Sequence, residues 1–257
     1  MPYETIKLSS DEGIAFLQLD RPQRLNAMTK GMIEELGNAL SAVAADSTLR
    51  CLLISGNGRA FCAGADLTGG NESSHPVGAL GEIYNPVFRA LAEFPAPVVC
   101  AVHGACAGAG VSLAMSCDIV IAEESAYFLE AFVNAGLVPD TGASWLLPRV
   151  VGRAKAAGML LLGSRVTAAQ ASEWGLIWQT AEDGKLSAAA LQIARQLAAS
   201  SPATIRAIKT LLRESARNSY AEQLDLEARF QHIAEQSDDH REAAAAFLEK
   251  RPPRFSS

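Results

Sequence analysis

The sequence predicts an α/β fold, in which a parallel sheet forms the core and helices form the carboxyl-terminal end. Short apolar runs at 51–54, 98–102 and 119–122 alternate with segments of helical periodicity, which is typical of βαβ units. From about residue 141 onward the pattern is almost wholly helical. With 257 residues, 49% of them hydrophobic and 19% charged, the chain can bury a substantial core. We therefore expect a core over residues 1–200 and a helical subdomain over 201–257.

The individual elements follow from the spacing of the apolar residues. Residues 3–19 alternate like a β-hairpin around a turn at 9–13. Apolar side chains recur at helical spacing through 26–45, and another helix is expected near 108–115. Amphipathic helical patterns cover 186–199, 205–217, 221–235 and 241–250. The last helices cannot bury their apolar faces alone, so we expect them to pack on the core or on another subunit.

Charge limits the partners that the chain can bind. The formal net charge is −6 and no block of Lys or Arg occurs, so we expect no nucleic-acid partner. Residues 94–117 carry no charge and are nominally long enough to cross a bilayer. However, this run contains two prolines and three glycines, and its periodicity changes from strand to helix in the middle. We therefore interpret it as strand, turn and helix, and expect no membrane span.

The cysteines and histidines argue against disulfide and metal chemistry. Five cysteines, an odd number, form no CxxC pair and lie in apolar surroundings, as buried free thiols do in a reducing cytosol. Four scattered histidines and the lack of an HExxH motif predict no metal site. Residues 1–7 show no basic segment followed by an apolar one. These observations predict a cytoplasmic protein.

Two loops place small residues where backbone N–H groups can meet a ligand. They are residues 59–67, RAFCAGADL, and residues 103–113, HGACAGAGVSL. Two N–H groups that converge from separate strand-to-helix turns would form an oxyanion hole, and a helix starting near Gly108 would add its positive end. Small residues also simply permit close packing of helix on sheet. Neither loop matches GxGxxG, and the chain contains no P-loop and no GxSxG elbow.

The two loops at this spacing resemble those of the crotonase (enoyl-CoA hydratase/isomerase) superfamily. The similarity runs from the RPxxLNAM segment at 21–28 to the helical carboxyl terminus. It implies a spiral of βαβ turns, a helical end that forms a homotrimer or a hexamer of two trimers, and an acyl-CoA thioester substrate. No cofactor is implied, since coenzyme A is part of the substrate. The resemblance places the two oxyanion donors at the backbone N–H groups of Ala63 and Ala109.

The acid–base residues distinguish the activities within the superfamily. Its hydratases use two glutamates, and the corresponding positions hold Ser112 and Phe132 in this chain. Instead, Asp140 directly follows the GLVP turn. The stretch 136–152, GLVPDTGASWLLPRVVG, resembles the ring-epoxide isomerases of the superfamily, as do 171–178 and 246–251. That resemblance implies conversion of ring-1,2-epoxyphenylacetyl-CoA to oxepin-CoA, double-bond shifts in enoyl-CoA thioesters, and Asp140 as the proton-transferring base.

An aspartate can remove a thioester α-proton only if the enolate oxygen is stabilised. We expect Asp140 to lie among Leu137, Val138, Phe132 and Trp145, where burial would raise its pKa toward the working pH. Asp140 is also a plausible N-cap for the apolar helix that follows it. Glu130 is the second candidate carboxylate, because it would share a face with Phe132 if 128–133 were extended. A solvated strand-end glutamate is its simpler interpretation.

Further residues are expected to bind the substrate. The resemblance implies a pocket lined by Ala27, Ala65, Asp66, Leu67, Gly108 and Phe132. Asp66 is also a candidate helix cap. The phosphates of coenzyme A require cations, for which the candidates are Arg24, Lys30, Arg59 and Lys209, although surface Lys and Arg are more often simply solvated. The segment 69–79, which contains Gly and Ser, is expected to be a mobile loop and is a candidate lid over the pocket.

Three other functions compete with the isomerase interpretation. A hydratase would add water to crotonyl-CoA at a rate near that of two-glutamate enzymes. A dehalogenase-like enzyme would use the aspartate as a nucleophile and form a covalent acyl-enzyme. A non-catalytic relative would bind coenzyme A or RNA, or act as a scaffold, and RNA binding would appear as salt-dependent retention on RNA. The net charge of −6 disfavours RNA.

Overall fold

The core of the computed structural model is a six-stranded sheet, and the model describes residues 3–66 and 80–255. In spatial order its strands are β1 (Ile6–Asp11), β2 (Ile14–Leu19), β3 (Cys51–Gly56), β4 (Val98–Val102), β6 (Ile119–Glu123) and β9 (Gln179–Ala181). The first pair is antiparallel, and every later pair is parallel. This arrangement confirms the α/β fold with its predicted hairpin and three central strands.

A second, three-stranded sheet supports the loops that leave the first. It contains β5 (Ala105–Ala107), β7 (Tyr127–Leu129) and β8 (Arg165–Thr167), in that spatial order. Strands β5 and β7 are parallel, whereas β7 and β8 are antiparallel. The expectation that the chain is almost wholly helical after residue 141 is wrong at β8 and β9. Each of these strands has three residues, which is too short for alternation to be recognised in the sequence.

Most of the predicted helices begin and end within a few residues of the expected positions. The helices are α1 (Lys30–Ala45), α2 (Asn85–Ala92), α3 (Ala109–Met115), α4 (Ala143–Val150), α5 (Gly152–Leu162), α6 (Ala168–Glu173), α7 (Leu186–Ala198), α8 (Pro202–Ser215), α9 (Tyr220–Glu235) and α10 (Asp238–Glu249). Helix α1 begins four residues later than predicted. Leu25 and Asn26 have left-handed backbones, with φ of 51° and 54°, and Thr29 caps the helix by accepting a hydrogen bond from Met32 N.

Both faces of the main sheet are covered by helices. On one face, Leu52, Ile54 and Val102 belong to the large core, which includes the apolar stripe of α1. On the other face, Leu53 and Val99 pack in a smaller cluster with α7. This two-sided burial explains why the central strands are continuous apolar runs rather than alternating ones. The predicted interpretation of residues 94–117 as strand, turn and helix is confirmed.

The carboxyl-terminal end consists of helices α8, α9 and α10, and it leaves many apolar side chains exposed. Cysteines 51, 62, 100 and 106 are buried, Cys117 is partly buried, and all five are free thiols, as predicted. Within residues 3–66 and 80–255, no helix combines the length and hydropathy needed to cross a bilayer. The proposed lid segment 69–79 lies outside the described residues.

Candidate active site

The first of the two predicted loops is held in place by backbone pairing with the segment before α1. Met28 N donates to Gly64 O at 2.7 Å, and Asp66 N donates to Met28 O at 2.9 Å. These bonds form a short parallel bridge between Met28 and Ala65. Since the loop follows β3 and its neighbour follows β4, the two loops leave the same edge of the parallel sheet. That shared edge is where ligands bind in open α/β sheets.

The two loops touch each other through glycines. Ala107 N donates to Cys62 O at 2.8 Å, and a Cβ on Gly64 would lie 2.9 Å from Ala107 O and 3.6 Å from the Cα of Gly108. Only residues without side chains permit such an approach, and both glycines have positive φ. Burial raises the pKa of the neighbouring Cys62 thiol to about 12, so this thiol stays protonated. The close contact brings Ala65 and Ala109, the residues after the glycines, to one place.

The backbone N–H groups of the two loops differ in whether they are already bonded. Ala63 N donates to Leu25 O at 2.9 Å, so the expectation that Ala63 provides an oxyanion donor is wrong. The N–H groups of Ala65 and Ala109 donate to no protein acceptor within the described part of the chain. Free N–H groups beside a pocket are the requirement for an oxyanion hole. The unbonded N–H groups of the two loops are therefore those of Ala65, two residues after the predicted position, and of Ala109.

Asp140 lies in an irregular segment before α4. Thr141 and Gly142 both have left-handed backbones, with φ of 47° and 98°, which is a costly conformation for a β-branched threonine. Thr141 Oγ1 donates to Asp140 Oδ1 at 3.1 Å. The N-cap of α4 is Gly142, which has no side chain, so the helix-capping alternative for Asp140 is wrong. The strained turn instead orients the Asp140 carboxyl group.

The apolar surroundings expected for Asp140 are only partly formed in the single chain. Asp140 is half-buried, but Leu137, Val138 and Trp145 are 55%, 80% and 49% exposed. The ring tip of Phe132 lies 3.7 Å from the position that a Cβ on Gly108 would occupy. The expected enclosure by Leu137, Val138 and Trp145 is therefore wrong for the isolated chain. Phe132 lies beside the second loop, as expected.

Glu130 differs from the expectation of a solvated strand-end residue. It follows β7 directly and is fully buried, and neither of its carboxyl oxygens has a hydrogen-bond partner among the described residues. Burial and, to a smaller extent, the Asp140 charge raise the pKa of Glu130 to about 8. Residues 131–135 form a 3-10 helix, so an extended conformation of 128–133 is also wrong. A carboxyl group with a raised pKa is therefore present at Glu130.

Tyr84 is a site residue that sequence reasoning missed. It is buried in a π-helical turn, Leu80–Tyr84, just before α2. Burial raises the pKa of its phenol to about 12, and electrostatic interactions with Asp140, Asp66 and Cys62 add to the shift. The phenol therefore lies within electrostatic range of both the first loop and the Asp140 segment, which links the two parts of the site. A lone tyrosine in an amphipathic segment carries no sequence signal of this role.

Most of the predicted substrate-binding residues lie near the two loops. Asp66 is buried and pairs with Arg21 at 3.0 Å. Ala27 precedes the bridge between Met28 and Ala65, and Gly108 donates its N–H to Leu129 O at 2.9 Å. Leu67 lies outside the described residues. These positions place Ala27, Ala65, Asp66, Gly108 and Phe132 around the two loops.

The four cationic candidates are in different situations. Arg24 and Arg59 are exposed beside the first loop, and Lys30 pairs with Glu34 at 3.7 Å on the surface of α1. Lys209 Nζ donates to Ala96 O at 2.8 Å and pairs with Asp118 at 2.5 Å. Ala96 and Asp118 precede β4 and β6, so they lie at the opposite edge of the sheet from the loops. The expectation that Lys209 binds substrate is therefore wrong within its own chain.

Comparison with known proteins defines the class to which this fold and site belong. The enoyl-CoA hydratase/isomerase family model matches residues 9–257. The chain therefore belongs to the enoyl-CoA hydratase/isomerase family, which confirms the crotonase resemblance, and it is a CoA-thioester isomerase/hydratase enzyme.

Individual relatives sharpen this assignment. The chain is 47% identical over 251 residues to the 1,2-epoxyphenylacetyl-CoA isomerase of Escherichia coli K12, covering 96% of each chain. It is 42% identical to a probable enoyl-CoA hydratase of Rhodobacter capsulatus, covering 100% of this chain and 99% of that one. The crystal structure of a putative enoyl-CoA hydratase/isomerase from Mycobacterium abscessus superposes with a TM-score of 0.94 at 37% identity, covering 98% and 99%. The crotonase-like fold is thereby confirmed.

Proposed function

We propose that this enzyme is an acyl-CoA isomerase that moves a proton between two carbons of a thioester, with Asp140 as the acid–base group. The observation that carries the proposal is that the N–H groups of Ala65 and Ala109 have no protein acceptor within the described residues. The sequence adds an aspartate at 140, and it has Ser112 and Phe132 at the positions that the family resemblance assigns to the hydratase glutamates. By analogy with the Escherichia coli relative, the substrate would be ring-1,2-epoxyphenylacetyl-CoA and the product oxepin-CoA. In that conversion the C–C bond shared by the epoxide and the six-membered ring breaks to give the seven-membered oxepin ring, and the proton transfer shifts a double bond toward the thioester.

The proposed reaction requires a binding step and two proton transfers. The thioester carbonyl oxygen accepts hydrogen bonds from Ala65 N and Ala109 N, and the negative charge that develops on this oxygen strengthens both bonds. Each such donor typically contributes about 2.7–4 kcal/mol to lowering the barrier. Asp140 removes a proton from a carbon next to the thioester, which gives an enolate, and then returns it to another carbon. This sequence consumes no water and no redox cofactor.

Substrate binding and assembly complete the proposal. Coenzyme A would enter as part of the substrate, and Arg24 and Arg59, exposed beside the first loop, are the candidates for its phosphates. The five free cysteines are consistent with a cytoplasmic enzyme. A homotrimer, or a hexamer of two trimers, would cover the apolar surface of the helical end.

The substitution Asp140→Asn tests the acid–base assignment. It keeps the shape of the side chain but removes the proton acceptor, so the double-bond shift in a 3-enoyl-CoA should fall by about 10³-fold or more. Coenzyme A binding, measured by calorimetry, should stay within about twofold of the wild type. Asp225→Asn makes the same change on the exposed face of α9 and should leave the rate unaltered. Full activity of Asp140→Asn would refute the assignment.

Hydration is the second candidate function, because the Rhodobacter capsulatus relative is named a probable enoyl-CoA hydratase. Hydration needs a carboxylate that activates water, and Ser112 and Phe132 cannot supply one. We therefore expect water addition to crotonyl-CoA to be slower than the double-bond shift by at least about 10²-fold. Following the loss of the conjugated enoyl absorbance measures this rate directly. A faster hydration than isomerisation would favour the hydratase.

A further inference from the structure

Glu130 has an unusual environment for a carboxyl group. Its side chain is 0% exposed, and both carboxyl oxygens are buried with no hydrogen-bond partner in residues 3–66 and 80–255. Ser112 Oγ is the other buried side-chain oxygen without such a partner in the part of the chain that the structure describes. No Lys, Arg or His within residues 3–66 and 80–255 forms an ion pair with Glu130. A carboxylate in such surroundings is strongly disfavoured relative to the neutral acid.

The position of Glu130 connects it to the candidate active site. The preceding residue, Leu129, accepts a hydrogen bond from Gly108 N at 2.9 Å, so Glu130 begins where the second loop meets β7. Among the described residues, two titratable groups interact with it electrostatically. They are Asp140, on the segment before α4, and the buried thiol of Cys106 on β5, whose pKa is raised by burial and further by the charges of Cys62 and Glu130. The raised pKa keeps the Cys106 thiol neutral, so of these two groups it is Asp140 whose charge raises the pKa of Glu130.

We propose that Glu130 is a positioning residue that acts through Asp140: it remains a neutral acid while Asp140 carries the charge, so that the pocket holds one negative charge rather than two. This inference rests on the proposed role of Asp140 as the base. Two neighbouring carboxyl groups resist double ionisation, because their charges repel each other in a medium of low dielectric constant. Once Glu130 ionises, the added charge opposes both the ionisation of Asp140 and the formation of the enolate.

The raised pKa of Glu130, about 8, sets the range in which this arrangement holds. Below that value Glu130 is protonated, and above it the second charge appears. The same shift makes folding depend on pH. The native Glu130 keeps its proton up to about pH 8, whereas the unfolded group loses it near the ordinary glutamate pKa of 4.5. The free energy of unfolding should therefore decrease as the pH rises from about 4.5 to about 8, and level off above that range.

The pH dependence of kcat/KM distinguishes this role from simple packing. In the wild type, the value should fall above about pH 8 and be roughly tenfold below its plateau at pH 9, since about one molecule in ten then keeps Glu130 protonated. Glu130→Gln is permanently neutral, so its plateau should extend through pH 9 at close to the wild-type level. Glu124→Gln is the matched control at an exposed position, and it should retain the alkaline decrease.

A direct titration of Glu130 keeps this test independent of the isomerase assignment. The C=O band of protonated Glu130 can be recognised in the infrared spectrum because Glu130→Gln lacks it. In the wild type this band should disappear as the pH rises, with a midpoint near pH 8. In Asp140→Asn the midpoint should move to lower pH, because the repelling charge is gone. A midpoint below pH 6, or one unaffected by Asp140→Asn, would overturn the proposal. So would a folded Glu130→Gln protein that is inactive at pH 7 or retains the alkaline decrease.

Discussion

Asn26 shows how one buried amide holds the first loop of the active site. Its side-chain nitrogen donates to the carbonyl oxygens of Asn57, Ala60 and Phe61 at 2.8–3.1 Å. Its side-chain oxygen accepts a hydrogen bond from Arg21 N at 2.8 Å. The residue is fully buried and has a φ of 54°, a left-handed conformation that asparagine tolerates better than most residues. This amide fastens the segment before α1 to the turn that follows β3.

Replacing Asn26 should therefore disrupt the first loop and lower the free energy of unfolding. In Asn26→Ala, buried carbonyl groups lose their donor and alanine must adopt a left-handed backbone, so the free energy of unfolding should fall by about 2–4 kcal/mol. Urea unfolding followed by circular dichroism measures the change. Asn38→Ala, on the exposed face of α1, should alter the stability by less than about 0.5 kcal/mol. A similar loss in both variants would contradict the structural role of Asn26.

Individual site residues differ in how far the sequence could predict them. Asp140 and the small loop residues were recognisable because the motifs that carry them are continuous in sequence. The choice between Ala63 and Ala65 was not, because it depends on which N–H group the Leu25 carbonyl occupies in the folded chain. The raised pKa of Glu130 likewise depends on its burial and on the charge of the distant Asp140. Such properties arise from tertiary packing rather than from local pattern.

At the scale of elements, the site depends on the contact between the two strand-to-helix loops. Gly64 has a φ of 90°, and a Cβ at this position would lie 2.9 Å from Ala107 O, which belongs to the backbone of β5. A backbone oxygen cannot rotate away as a flexible side chain can. The spacing between the N–H groups of Ala65 and Ala109 is therefore set by the absence of a side chain at Gly64.

Gly64→Ala should separate the loops and weaken the oxyanion hole. The methyl group must displace β5 or distort a left-handed backbone, and either change shifts the N–H of Ala65. We expect kcat for the double-bond shift to fall by at least about tenfold, with a loss of stability of about 1–3 kcal/mol. Steady-state kinetics and thermal unfolding measure the two effects.

Gly158→Ala provides the control for this substitution. Its Cβ would meet nothing within 4 Å in helix α5, and alanine favours a helix over glycine by about 1 kcal/mol. This variant should therefore keep its activity and gain slightly in stability. If Gly64→Ala were as active and as stable as Gly158→Ala, the contact between the loops would have no part in catalysis.

The longer elements were predictable because each buries a regular stripe or a continuous apolar run. Helix α1 buries Met32, Ile33, Leu36, Leu40 and Val43, all at the predicted spacing. The strands of the second sheet were not predictable, because each has three residues and pairs with residues far away in sequence. These short strands nevertheless place Leu129 against Gly108 and Glu130 beside the site. These short strands therefore determine where several residues of the candidate site lie.

At the scale of the whole molecule, the isolated chain exposes many large apolar side chains. Large apolar side chains are exposed on α5, before β9 and across the helical end, namely Leu161, Leu162, Trp178, Leu212, Tyr220, Ile233, Phe247 and Leu248. Soluble monomers rarely expose so much apolar surface, and such surfaces usually form interfaces. The Asp140 segment is similarly open, because Val138 and Trp145 are exposed. Assembly would bury both kinds of surface.

We therefore predict that the protein is a homotrimer, or a hexamer of two trimers, in solution. Light scattering coupled to size exclusion should give three or six times the chain mass of 27.1 kDa at micromolar concentration. Phe247 and Leu248 are 83% and 81% exposed at the end of α10, so replacing both with aspartate should lower the mass by placing charges in an apolar interface. Ala244→Asp adds a charge at an exposed position of the same helix and should leave the mass unchanged. A wild-type mass of one chain would refute the assembly.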